Sequence, residues 1–271
     1  MKPKPRSKRR KIAPVKIYLI TGVLLVLAIA AGPALIRYGV AFYRSGFSFS
    51  GAEQYHNLKS FGVPVPSGYK VHGIDVSHHQ GRINWEEVDT MNVNEIVINF
   101  AFLKATEGIT RQDLQFKRNW KKTRETGILR GAYHFFHPSR DAAKQAENFI
   151  RQVKLEPGDL PPVLDIEVSN RRSKKEIVDG ALEWCRLIEE HYQVKPIIYT
   201  SPGFYDIYLA DDFKDYPLWI AHYYEDLPRM HHRKWQFWQH TDKAKINGVK
   251  GGVDLNVFNG SLSKLQRMCV E

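Results

Sequence analysis

Short apolar runs recur along the chain from Tyr69 onward, and each is about as long as a β-strand. They are rich in β-branched and aromatic residues and end near polar or aromatic positions, a pattern that predicts strands. Eight such runs are present: Lys70–Val76, Glu95–Lys104, Ile128–Phe136, Pro162–Glu167, Pro196–Thr200, Leu218–Tyr223, Trp235–His240 and Val253–Phe258.

The segments between the first five predicted strands are long enough for helices. We predict helices at Asn84–Thr90, Gln112–Thr126, Asp141–Val153, Lys174–Tyr192 and, after the fifth strand, Pro202–Phe213. After Leu218 the connections shorten to about a dozen residues, too few for comfortable crossover helices. This order predicts an α/β fold, a (β/α) barrel whose last strands are joined by loops. An open, doubly wound sheet is the alternative.

The N-terminal part of the chain has a different pattern. The run Ile17–Ile36 is uncharged and follows eight Lys or Arg residues. About 20 apolar residues span a bilayer as a helix, and a flanking basic cluster stays on the cytoplasmic side. We therefore predict a basic cytoplasmic tail at 1–16, a transmembrane anchor at 17–36, a Gly- and Pro-containing linker at 37–69, and an extracytoplasmic barrel domain at 70–271. A cleaved signal peptide, with secretion of the rest, is the alternative, because Ala28-Ile29-Ala30 has the small-x-small form.

The formal net charge of +11 suggests nucleic-acid binding until the charges are located along the chain. Residues 1–69 carry eleven Lys or Arg and one acid, Glu53, which leaves a net charge of +1 on residues 70–271. The predicted barrel is therefore nearly neutral, and we expect no nucleic-acid partner.

Two cysteines, Cys185 and Cys269, are present. Their pairing stays open, because the sequence does not give the distance between them. No paired-cysteine or spaced-histidine pattern predicts a metal site, and no cofactor is expected.

The strongest local signal for chemistry is Leu160-Pro-Pro-Val-Leu-Asp-Ile-Glu167, an apolar strand that ends in two acids. Strand side chains alternate between faces, so Asp165 and Glu167 should point the same way and Ile166 into packing. Two carboxyls on one face repel each other, which raises the pKa of one and keeps it protonated. A glycosidase needs this division between a proton donor and ionised partners.

Further polar and aromatic residues stand at the other strand ends. Asp75 ends the first predicted strand and is the best additional candidate for a catalytic acid. Glu107 follows the second strand, where a salt bridge to Lys104 or Arg111 is the competing interpretation. In barrel enzymes such residues gather at the C-terminal ends of the strands. The remaining candidates for a substrate cleft are His134, Tyr199, Trp219, Gln239 and Asp254, of which Trp219 fits the barrel core equally well.

Five motifs follow one another along residues 70–260: Gly73-Ile-Asp-Val-Ser-His-His-Gln-Gly81, Lys104-Ala-Thr-Glu-Gly108, Gly131-Ala-Tyr-His-Phe-Phe136, Val163-Leu-Asp-Ile-Glu167 and Gly252-Val-Asp-Leu-Asn256. Together they resemble glycoside hydrolase family 25, the Chalaropsis-type or cellosyl-type lysozymes. The resemblance implies a modified TIM-like barrel, about (β/α)5(β)3, and N-acetylmuramidase activity on the β-1,4 bond of peptidoglycan glycan strands.

The resemblance also implies roles for individual residues. Glu167 would be the general acid, and Asp165 would orient the acetamido group of the substrate or stabilise charge beside it. Asp75 and Asp254 would complete the acidic cluster, and His134 and Tyr199 match positions that line the cleft of the family. Whether the acetamido group or a water molecule attacks the sugar stays open, and no metal or cofactor is implied.

Two other functions fit parts of the sequence. A non-catalytic module that binds cell-wall glycan is the main alternative, and a metal-dependent polysaccharide deacetylase is a weaker one. The chain departs from many family members at its N-terminus, where it has the predicted anchor and no wall-binding repeats.

Overall fold

A computed structural model describes residues 55–223, 227–228, 230 and 233–271 of the chain. Two short strands, β1 (Tyr55–Leu58) and β2 (Val63–Pro66), form a hairpin before the main sheet. The main sheet holds the remaining strands: β3 (His72–Val76), β4 (Ile98–Glu107), β5 (Arg111–Gln112), β6 (Leu129–Phe135), β7 (Val163–Asp165), β8 (Ile197–Thr200), β9 (Leu218–Ala221), β10 (Phe237–Ala244) and β11 (Val253–Phe258).

Eight of these strands close into a barrel, because β3 pairs with both β4 and β11. Neighbouring strands are parallel from β3 through β4, β6, β7, β8 and β9 to β10. Only β11 runs antiparallel to its two neighbours in the barrel. The eight predicted strands and the barrel are thereby confirmed, and the open sheet is wrong.

The helices are α1 (Trp85–Asp89), α2 (Phe116–Arg124), α3 (Ala142–Gln152), α4 (Lys174–Tyr192), α5 (Pro202–Phe204), which continues into a π-helical turn at Tyr205–Leu209, and α6 (Leu262–Gln266). Five of them lie where the sequence predicts them, α4 with the predicted bounds and the other four with shorter ones, and the sixth, α6, was not predicted. Side-chain caps fix two of the helix starts: Asp141 accepts from the Lys144 backbone N–H, and Ser173 forms a capping box with Glu176.

The interior of the barrel is filled by aromatic side chains. Phe102 packs on Trp219 and Phe237, with ring centroids 4.6 and 5.3 Å apart. Two glycines of the wall make room for these rings: a Cβ added at Gly73 would lie 2.4 Å from the Phe100 ring, and one at Gly131 would lie 2.5 Å from the Phe102 ring. A larger side chain at either position would push an aromatic ring out of its place in the interior.

The folded domain begins earlier than residue 70. Phe61 and Val65 of the β1–β2 hairpin are fully buried in the hydrophobic core, and the Lys245 backbone N–H donates to the Phe61 carbonyl at 2.8 Å. The predicted linker at 37–69 is therefore wrong over 55–66, where the chain forms a packed hairpin.

The predicted tail and anchor, residues 1–36, lie outside the described residues. Within the part of the chain that the structure describes, no helix combines the length and the apolar character needed to cross a membrane. Cys185 and Cys269 are both free thiols, and Cys185 is buried.

Candidate active site

A cleft of about 290 Å³ opens at the end of the barrel where the parallel strands terminate. Four acids line it, together with aromatic and polar side chains from nearly every strand of the barrel. The lining residues are Asp75, Ser77, His79, Gln80, Lys104, Tyr133, Phe135, Asp165, Glu167, Tyr199, Trp219, Tyr223, Gln239 and Asp254.

The topology brings the four acids together. Asp75 is near the C-terminal end of β3, Asp165 is the last residue of β7, and Glu167 follows two residues later. Ile166, between them, is fully buried in the core, as the alternation of side chains predicts. Because β11 runs in the opposite direction, its second residue, Asp254, lies at the same end of the barrel and pairs with Asp75 across the ladder.

Asp75 is held by two buried amides. Gln239 Nε2 donates to Asp75 Oδ2 at 2.8 Å, and Asn256 Nδ2 donates to the same oxygen at 2.7 Å. Burial raises the pKa of Asp75 to about 6, although both amide hydrogen bonds favour the ionised form and oppose this shift. Asp75 can therefore change its protonation state near neutral pH.

Asp165 and Glu167 differ in their surroundings. Asp165 is buried, and its Oδ1 has no hydrogen-bond partner among the described residues. Burial and the nearby Glu167 carboxylate raise the pKa of Asp165 well above its usual range. Glu167 is exposed at the mouth of the cleft. The protein atoms around its carboxyl still remove part of its hydration, which raises its pKa, and the charge of Lys104 opposes this rise.

Asp254 completes the cluster. Burial, followed by the charges of Asp75 and Asp242, raises the pKa of Asp254 to about 9. Lys104 is the single Lys or Arg in the described lining of the cleft, so the four acids face little compensating positive charge. The cluster therefore retains protons at neutral pH, as an acid catalyst requires. Among the described residues, no group of three or more His, Cys, Asp or Glu side chains is arranged to hold a metal ion.

Comparison with known proteins identifies the family of the chain. The model of glycosyl hydrolases family 25 matches residues 74–249. The chain belongs to this family. The predicted resemblance is confirmed, and so is the enzyme class, a glycoside hydrolase.

Three similar proteins show how far the likeness extends. Protein YegX of Escherichia coli strain K12 is 46% identical over 212 residues, which cover 78% of each chain. Lysozyme M1 of Streptomyces globisporus is 32% identical over 210 residues, covering 72% of this chain and 70% of that one. The solved structure of a family 25 glycosyl hydrolase from Bacillus anthracis matches with a TM-score of 0.69 and 31% identity, covering 80% of this chain and 98% of that chain.

Most residues predicted for the site of this family 25 hydrolase lie in the cleft. Alongside Asp75, Asp165 and Glu167, the structure brings Tyr199, Trp219, Gln239 and Asp254 into its lining. Trp219 belongs both to the barrel core and to the cleft. Its buried ring packs on Phe102 and Tyr199 and also lines the cleft.

Glu107 does not line the cleft, contrary to the prediction. It accepts from Lys104 at 2.8 Å and from Arg111 at 2.9 Å, and it lies 3.4 Å from His137. Burial alone would raise the pKa of Glu107, but the hydrogen bond and charge of Lys104, together with the His137 hydrogen bond and the Arg111 charge, lower that pKa to about 2. The salt-bridge interpretation is therefore the correct one for Glu107. Its link to the cleft is its ion pair with Lys104, which lines the cleft.

His134 is also outside the cleft. Its ring is fully buried behind β6, stacked on Trp184 with centroids 5.6 Å apart and bonded to Thr106 Oγ1 at 2.7 Å. Burial lowers the pKa of His134 to about 3, so it stays neutral. The physical reason is strand alternation: Tyr133 and Phe135 point into the cleft, and His134, between them, points to the helices.

Sequence reasoning missed several residues of the site. Tyr133 and Phe135 follow from the alternation of side chains along β6, the same rule that predicts one face for Asp165 and Glu167. In the sequence, Lys104 stands out only as a salt-bridge partner of Glu107, and Asn256 only as the last residue of the motif Gly252–Asn256. Tyr223 lies just past β9 and lines the cleft, and no signal in the sequence marks it for the site.

Proposed function

We propose that this chain is a lysozyme, a muramidase that hydrolyses the β-1,4 bond between N-acetylmuramic acid and N-acetylglucosamine in peptidoglycan. Family membership and the similarity to Lysozyme M1 support this substrate. The observation that carries the proposal is that four acids from three distant parts of the sequence, Asp75, the pair Asp165 and Glu167, and Asp254, line one cleft at the strand ends.

Glu167 is the proposed general acid. It lies at the mouth of the cleft, where a leaving sugar has access to it, and its raised pKa favours the protonated form that donates to the departing oxygen. The charge of Lys104 limits this rise, so that after proton transfer the resulting carboxylate is stabilised and can serve as a base toward water.

Asp165 is the proposed partner of the acetamido group on the reacting sugar. Its Oδ1 is buried and unpartnered, and an amide N–H from the substrate would satisfy it. In this scheme the acetamido carbonyl oxygen attacks C1 while the bond from C1 to the leaving oxygen breaks and Glu167 supplies the proton. Water, deprotonated by Glu167, then adds at C1 and opens the cyclic intermediate, which retains the configuration of the sugar.

The decisive experiment is mass spectrometry of the fragments released from defined peptidoglycan by the purified full chain. A muramidase leaves reducing muramic acid ends. Reducing glucosamine ends, or anhydro ends, would contradict the proposed bond. Glycan binding without any reducing ends would favour the non-catalytic binding module. NMR of the first-formed anomer tests the route, because direct attack by water would invert the configuration.

We also propose that residues 17–36 anchor the enzyme in a membrane, with the barrel on the extracytoplasmic side where peptidoglycan lies. The support is the uncharged run and the basic cluster before it. Secretion after cleavage near Ala30 is the alternative, and the two differ in where the mature chain begins.

A further inference from the structure

The two amides that hold Asp75 are themselves fixed in orientation. Trp219 Nε1–H donates to Asn256 Oδ1 at 2.8 Å. An indole nitrogen only donates, so the atom of Asn256 that it contacts is the oxygen, and the amide nitrogen is turned to Asp75. Both Asn256 and Trp219 are buried, so water does not compete for these bonds.

Gln239 is fixed in a similar way from the other side of the cleft. The hydroxyls of Tyr199 and Tyr223 both donate to Gln239 Oε1 at 2.7 Å. Its amide nitrogen is thereby left to donate to Asp75. Five side chains form one directed network that ends on a single carboxylate oxygen, Asp75 Oδ2, and they come from β8, from β9 and the residues just after it, from β10 and from β11.

The two oxygens of Asp75 therefore have different tasks. Oδ2 accepts two amide hydrogen bonds, whereas no described residue donates to Oδ1. Because Asp75 lines the cleft, Oδ1 is the oxygen left to meet the reacting sugar or to carry a proton. We propose that Asn256, aligned by Trp219, is a positioning residue that works with Gln239 to hold Asp75 with Oδ1 toward the substrate. The expected effect of this positioning on catalysis rests on the proposed function.

The network also bears on the acid side of the pH profile. Both amides donate to the ionised carboxylate, so losing the Asn256 donor should raise the pKa of Asp75 above about 6. If catalysis needs ionised Asp75, the acid limb of activity then moves to higher pH. Among the described residues, the other titratable groups that face Asp75 or share its cleft are Glu167, Asp165, Asp254, Tyr133, Tyr199, Tyr223, His79 and Lys104.

The test compares Asn256→Leu, which keeps the approximate volume, and Trp219→Phe, which replaces the indole with a smaller phenyl ring and so removes the N–H that donates to Asn256. Trp238→Phe is the matched control, because the Trp238 indole donates to the His222 carbonyl at 2.7 Å and does not line the cleft. Two measurements are made on the full chain: the pH dependence of kcat and KM, and the carboxyl carbon NMR titration of Asp75, assigned with Asp75→Asn.

We expect Asn256→Leu to lower kcat about tenfold or more with little change in KM, and to raise the Asp75 titration and the acid limb by roughly one pH unit. Trp219→Phe should shift the Asp75 titration and the acid limb in the same direction by a smaller amount, and should add no further shift in the Asn256→Leu background. Trp238→Phe should leave the Asp75 titration and the acid limb unchanged.

An unchanged Asp75 titration in folded Asn256→Leu, or an equal shift in Trp238→Phe, would overturn the inference. If Asn256→Leu does not fold, Trp219→Phe with its control decides the question. The NMR titration needs no turnover, so it tests the network even if the wild-type chain releases no reducing muramic acid ends. Absence of reducing muramic acid ends would contradict the proposed function, and it would leave the test of the network unaffected.

Discussion

Asp254 lies directly opposite Asp75 in the antiparallel ladder between the last and first strands of the barrel. Like-charged residues at opposed positions repel each other, and both of these line the same cleft. The pairing places a second carboxyl next to Asp75 and keeps a proton in the cluster, with the pKa of Asp254 raised to about 9 and that of Asp75 to about 6. The arrangement suits catalysis and works against stability.

The cost to stability gives a prediction for Asp254→Asn. The pKa of Asp254 is about 9 in the folded protein and about 4 in an unfolded chain, so the folded state binds a proton that the unfolded state releases between these values. The free energy of unfolding should therefore fall as pH rises from 4 to 9. Asp254→Asn should flatten this dependence and raise the melting temperature at pH 8 by roughly 4 °C.

The matched control is Asp212→Asn, on an exposed turn away from the cleft. Thermal unfolding from pH 4 to 9, followed by circular dichroism, makes the comparison. A pH dependence of Asp254→Asn as steep as that of the wild type would show that Asp254 does not carry the effect. Activity of Asp254→Asn should fall, because it lines the cleft.

Glu167→Gln should lower the rate of peptidoglycan hydrolysis by at least a hundredfold, since the amide has no acidic proton for the leaving oxygen. The melting temperature should change little, because Glu167 lies at the exposed mouth of the cleft. Release of reducing ends is the measurement. Glu147→Gln, on the exposed side of α3, is the control and should keep full activity. Wild-type rates in Glu167→Gln would remove the assignment of the general acid.

Lys104→Met should move the alkaline limb of the pH profile upward. The charge of Lys104 lowers the pKa of Glu167, and without it the acid stays protonated to higher pH. We expect a shift of roughly half to one pH unit in kcat/KM. Lys104→Arg keeps the charge and should retain most of the wild-type pH profile. If Lys104→Arg shifts the alkaline limb as far as Lys104→Met does, the cause is steric and the electrostatic explanation is wrong.

Membrane attachment is tested by fractionation of cells that make the full chain. The anchored form should sediment with membranes, resist alkaline carbonate and keep its N-terminal residues. A chain that lacks residues 1–36 should be recovered in the soluble fraction. A wild-type chain whose N-terminus begins just after Ala30 would instead support secretion after cleavage.

The strands and helices of the barrel were predictable because their signals are local. Each strand is a short apolar run, and the segments between the first five strands of the barrel are long enough for helices, two of which begin at the caps Asp141 and Ser173. The convergence of Asp75, Asp165 and Glu167 was predictable for the same reason. In a run of parallel strands the C-terminal ends meet at one edge, so an acid at each end reaches a shared cleft.

Which face of a strand meets that cleft was harder to predict. Strands of a parallel barrel are buried on both sides, by the interior and by the helices, so apolar residues mark no preferred face. His134 and Tyr133 are adjacent in β6, and the sequence pointed to the wrong one. The position of Glu107 after the second predicted strand fits both a place in the cleft and a salt bridge, and the structure shows ion pairs with Lys104 and Arg111 outside the cleft lining.

The sequence by itself determined the order of the elements and the acids at the strand ends, because these depend on residues close together in the chain. Only the tertiary structure decided which acid has which partner. Asn256 contacts Asp75 across 181 positions of the sequence, and Trp219 aligns it from a third strand. Hydrogen bonds over such separations depend on the closure and register of the barrel, which no local pattern specifies.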